Sequence, residues 1–155
     1  MQCIVNKELL SVWFVPLDLS DDFYSPFDDQ PFVCVLLCHV AEVSDVDRAR
    51  LCQQIVSSSC QYVICAGVDC SIWDETLDWA FTDMQTEDGD NQDQTLLTTW
   101  HEDEPLLDVF RFAFESDAVV PVASARYVVL SLAEQDNAMI VNSLIVFLRG
   151  HGVAV

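Results

Sequence analysis

The chain has 155 residues, about one domain's worth, and its 52% hydrophobic and 21% charged content is that of a globular chain rather than a disordered one. Six Lys and Arg against 26 Asp and Glu give a formal net charge of −20. Such a surface repels phosphate backbones and anionic membranes, so direct nucleic-acid binding and an electrostatic membrane anchor are not expected. What remains is a solvated acidic surface, a basic protein partner, a cation, or mimicry of nucleic acid at a basic site.

Residues 1–31 carry no cleavage-site pattern, so no signal peptide is expected. They read as an edge strand in "LLSVWFVPLD" followed by an irregular acidic excursion; the apolar "SVWFVPL" is an edge that leaves a homodimer open. Residues 32–40, "FVCVLLCHV", form a continuous apolar strand run. A helix follows, with Ser44 as its cap, Asp47 in capping-box position, and Val46, Ala49, Cys52, Ile55 and Val56 at helical spacing. "YVICAG" (62–67) is a short strand ended by glycine. After it Asp69 or Ser71 can cap a helix whose stripe is Trp73, Leu77, Ala80, Phe81 and Met84. Residues 85–94 read as an acidic surface loop and 95–100 as a strand.

Leu106, Leu107, Phe110, Ala113 and Phe114 then mark an amphipathic helix with Pro105 in its first turn. "SDAVVPVAS" reads as a loop and "ARYVVLSLA" as a strand. The closing helix is capped near Asn137 and stopped by Gly150. Strands that are continuously apolar are buried on both faces. Alternating with helices, they predict a single-domain α/β fold, a three-layer sandwich of Rossmann-like or flavodoxin-like type. Its sheet would be mostly parallel, with four to five strands and helices on both faces.

Seven cysteines invite a disulfide reading, but the number is odd and most lie in apolar runs, where free cysteine is a small buried hydrophobe. Cys34 and Cys38 share strand parity yet sit roughly 13 Å apart, a spacing for core rather than zinc. A reducing, cytoplasmic setting is the reading that fits. The longest apolar run is too short to span a membrane.

A parallel sheet gathers its strand ends on one side, where ligands of open α/β sheets bind. His39, then Asp69 and Cys70, then Trp100, His101 and Glu104 fall at such ends. Cys70 with His101, oriented by Asp69 or Glu104, has the residue types for thiol nucleophilic catalysis; His39, Trp73 and Trp100 are candidates to line a ligand. Each has a plainer reading: His39 at the core rim, the acids as helix-start residues, Trp73, Trp79 and Trp100 as packing. There is no Gly-rich phosphate loop, nucleophile elbow or His-Glu-x-x-His, so no cofactor and no metal site is expected.

Two segments carry a resemblance. Gly67, Asp69, Cys70, Trp73 and Asp74, followed by Trp100, His101, Asp103, Glu104, Pro105 and Leu106, resemble a family of small uncharacterised bacterial proteins with Gly-x-Asp-Cys…Trp-Asp and Trp-His-x-Asp-Glu-Pro-Leu segments. The resemblance covers the central half of the chain; it implies a bacterial origin and marks this sheet edge, and implies no reaction. With net charge −20 and no complete catalytic motif, the expected function is a small acidic cytosolic interaction module, inhibitor- or immunity-like, binding a basic partner. The alternative is a small enzyme or ligand-binding protein using the Cys/His/acid cluster.

Overall fold

The computed structural model describes residues 1–88, 94–133 and 136–155. Strand β1 (Gln2–Lys7) turns through Glu8–Leu9 into β2 (Leu10–Pro16), its antiparallel neighbour. Then follow β3 (Phe32–Cys38), α1 (Asp45–Val56), β4 (Cys60–Gly67), α2 (Cys70–Asp88), β5 (Leu97–His101), α3 (Leu106–Glu115), the short α4 (Val120–Ala123), β6 (Arg126–Leu132) and α5 (Asn137–Gly150). The chain is therefore α/β, with a six-stranded, mostly parallel sheet in the order β1-β2-β6-β3-β4-β5.

Six strands, not four to five, make the sheet, because "QCIVNK" adds an antiparallel strand. "SVWFVPL" is likewise not an edge: β2 lies between β1 and β6, hydrogen-bonded on both sides, so it has no free edge for a second chain. The acidic stretch 85–94 is helical through Asp88, since α2 continues past its apolar stripe; residues 89–93 lie outside the described residues. The predicted loop after α3 contains α4.

Strand parity separates two cores. Val33, Val35 and Leu37 of β3 join Ile64, Val129 and residues of α3, α4 and α5, including Phe110, Ala123 and Leu144. Phe32, Cys34, Leu36 and Cys38 join Val63, Leu130 and residues of α1 and α2, including Leu51, Ile55, Trp73 and Leu77. Both faces of β3 are fully buried, which is why it reads as an unbroken apolar run. Ser44 caps α1 as its sequence predicts, accepting from the Asp47 backbone N–H at 3.1 Å. The α1 stripe is rotated from its expected position. Arg48 and Leu51 are buried with Cys52, Ile55 and Val56, whereas Val46 and Ala49 face out. The reason is Trp73: the Arg48 guanidinium stacks 5.5 Å from its ring centre, while bonding Asp45 and the Val43 carbonyl.

All seven cysteines are free, and all but Cys3 are buried. Among the described residues, no helix is long and apolar enough to cross a membrane.

Candidate functional site

Because β2 through β6 run parallel, their carboxyl ends lie on one side, and the residues singled out from the sequence fall there. Gly67 ends β4 at φ +91°, and a Cβ on it would lie 2.1 Å from the Cys38 carbonyl oxygen. Only glycine tolerates both conditions. Asp69 takes the left-handed conformation (φ +54°) that aspartate tolerates better than most residues. Its carbonyl accepts from the N–H groups of Ile72 and Trp73, so backbone rather than side chain starts α2. The Gly67-x-Asp69-Cys70 segment is thus a device for turning β4 into α2. His39 follows β3 and is exposed; its backbone N–H donates to the Leu132 carbonyl at 2.9 Å.

Cys70 and His101 are neighbours without being partners. The His101 ring lies on the α3 face of the sheet, 4.6 Å from the Phe112 ring. Its Nδ1 bonds Glu104 Oε2 at 2.8 Å and its Nε2 bonds the Thr99 hydroxyl at 3.1 Å, so both nitrogens are engaged. The Cys70 side chain packs into the opposite core with Trp73. What Cys70 meets of His101 is its backbone. Burial pushes the thiol's pKa up; that backbone contact opposes the rise and the Glu102 charge adds to it. A helix N-terminus that would otherwise favour thiolate is outweighed. Glu104, expected as a helix-start acid, instead holds His101. The residue that precedes α3 is Pro105, whose carbonyl accepts from Asp108 and Val109. Asp103, at φ +55°, supplies the turn between them.

The three tryptophans expected to pack behave differently. Trp73 is buried, while Trp79 is 64% and Trp100 54% exposed. Trp100 shares parity with Thr98, whose hydroxyl bonds Asp78 Oδ1 at 3.1 Å, so the Trp100 side chain lies on the α2 side of β5. On the same seam Asp74 is only 7% exposed and its Oδ1 has no hydrogen-bond partner. Burial raises the Asp74 pKa; a bond from the Thr98 hydroxyl opposes this and the nearby Asp78 charge adds to it. Neither α2 nor β5 contains a lysine or arginine. The seam therefore combines a buried carboxylate with one unmet oxygen, an exposed carboxylate at Asp78 and the exposed indole of Trp100. Asp74 enters the sequence reading only through the resemblance and Trp79 only as packing, because helical periodicity does not tell a carboxylate at a buried seam from one in solvent.

Topology also places a crevice that the sequence does not reveal. β3 and β6 are adjacent, yet the helices that follow them, α1 and α5, pack on opposite faces. Crevices at such a switch are where open sheets bind ligands. A cavity of about 320 Å³ lies there, with Leu17, Asp18, Val40, Asp47 and Ala133 in its wall. Strand order, which decides its position, cannot be read from the chain alone. Among the described residues no group of three or more His, Cys, Asp and Glu is arranged to hold a metal.

No curated protein and no solved structure matches the chain. Residues 12–146, most of the sheet and all but the last turn of α5, match a family described as "Domain of unknown function (DUF7684)". The uncharacterised family to which the chain belongs is therefore that of the DUF7684 domain.

Proposed function

We propose that the protein is a small acidic interaction module, inhibitor- or immunity-like, that docks a basic partner on the α2–β5 face. This reading takes the chain as a single-domain, Rossmann-like three-layer sandwich working in a bacterial cytoplasm. Asp74 carries it. A carboxylate this buried normally has its lone pairs met, and here one oxygen is unmet. An arginine from a partner supplies what the seam lacks: a charge for Asp74 and Asp78, donors in a planar fork, and a flat cation for the exposed indole of Trp100. β5 ends the sheet order, so an extended partner segment has a strand edge beside that seam. The enzymatic alternative is less well supported, because it needs the Cys70 thiol and the His101 ring on one side of β5.

The test uses an oligoarginine peptide, titrated while tryptophan fluorescence is followed. Affinity should fall at least about tenfold between low salt and roughly 0.5 M NaCl, as exposed charges become screened. Any acidic protein shows some of this, so the decisive variant is Trp100→Ala, which leaves the charge unchanged. It should weaken binding by about fivefold, the size of one lost cation–π contact. Binding indifferent to salt, or equal in wild type and Trp100→Ala, rejects docking on this face.

A further inference from the structure

A second concavity lies at the other end of the molecule, where β6 begins. Tyr127 is the second residue of β6 and points into the α3/α5 core, with its ring 4.3 Å from that of Phe114. Only 3% of Tyr127 is exposed. Burial alone raises its pKa, to about 12; no hydrogen bond or charge counters it among the described residues. The hydroxyl has no hydrogen-bond partner among the described residues and is not sealed from solvent, so it opens into the concavity beside it.

What Tyr127 lines is a half-open cavity of about 340 Å³. That is at the lower end of the range for small-molecule sites, roughly 300–1,000 Å³. Its walls are apolar: Leu10, Phe114, Val120, Phe147 and Leu148. Leu9, 87% exposed, adds an apolar side chain from the β1–β2 turn. The charged groups in the wall, Glu115 and His151, are already paired with each other. The His151 ring is also fixed by stacking 4.3 Å from Phe147 and by Nδ1–H donation to the Phe147 carbonyl at 2.8 Å. The cavity thus offers a ligand apolar surface and one unmet hydroxyl, with no free charge. A carboxylate ligand would meet the repulsion of a chain with net charge −20.

We propose that this cavity binds a small, neutral, apolar molecule bearing a carbonyl, packed against Phe114 and Phe147 and hydrogen-bonded by the Tyr127 hydroxyl. The site is separate from the α2–β5 face and does not depend on the basic-partner reading.

The neutral naphthyl ketone Prodan is a suitable probe, because its emission moves to the red when its carbonyl accepts a hydrogen bond. Wild type should bind it saturably. Tyr127→Phe should weaken binding by about fivefold, one hydrogen bond's worth, and shift the bound emission to the blue. This variant removes only a partnerless hydroxyl, so it should melt no lower than wild type. Val120→Trp, which fills the cavity from α4, should abolish binding in a chain that still folds. Three results overturn the proposal: no saturable binding to folded wild type at roughly 100 µM; equal affinity and emission in Tyr127→Phe; or a wild-type dimer in sedimentation that Val120→Trp dissociates, which would make a second copy the occupant.

Discussion

Asp74 shows how one side chain links stability to binding. Burial lifts its folded pKa above the ordinary carboxylate value, so the folded chain holds this proton more tightly than the unfolded chain does. The sign follows from linkage: its favourable contribution is present below the unfolded value, about pH 4, and is lost as pH rises through the folded value. At neutral pH the ionised carboxylate is therefore a cost to the fold. Asp74→Asn should raise stability in urea unfolding by about 1 kcal/mol at pH 7, and the gain should shrink as the pH approaches 4. The same variant should bind oligoarginine more weakly. Stability kept below its maximum for the sake of a binding group is a familiar trade. An Asp74→Asn chain less stable than wild type at pH 7 would show that the carboxylate is well accommodated, and would remove the main support for the docking face.

Among the elements, the β5–α3 junction is where a catalytic and a structural reading of the same motif diverge most. His101 closes β5 with a ring that touches Phe112 and bonds Thr99 and Glu104, so it fastens the strand, the turn and the helix together. His101→Ala removes a buried ring and leaves a cavity. It should cost about 2–3 kcal/mol in thermal or urea unfolding, with hydrogen exchange quickened first in α3. A loss under about 0.5 kcal/mol would mark the ring as a group held for chemistry rather than for packing. Much of this level is legible in the chain. β3, β4 and β6 announce themselves as apolar runs, α2 and α3 by their stripes, and α1 by Ser44 and Asp47. β1 is silent because its two-residue turn, Glu8–Leu9, lacks the Gly and Asn chemistry that marks a hairpin. Arg48 is misplaced by periodicity because a guanidinium can be buried once Trp73 and Asp45 receive it, and that pairing spans two helices. The candidate site divides in the same way. Glycine and aspartate at a strand end are visible locally, but whether Cys70 and His101 share a face depends on parity across β5.

For the whole molecule, the governing quantity is charge. Arg48, Arg50 and Arg111 are each engaged by acids of their own chain, which leaves the remaining carboxylates to repel one another across the surface. Self-repulsion of this kind opposes the compact state and is relieved by salt, whose screening length falls from roughly 30 Å at 0.01 M to about 8 Å at 0.15 M. The melting temperature should rise over that interval by about 2–4 °C, the shift expected for roughly 1 kcal/mol in a chain of this size. Over the same interval affinity for a basic partner should fall, since one screening removes both the repulsion within the chain and the attraction to the partner. The opposed slopes are the diagnostic. A melting temperature that is flat or falls with NaCl would mean that the fold has already distributed its acids beyond mutual reach. The −20 would then be a solvated surface with no strain for a cationic partner to relieve.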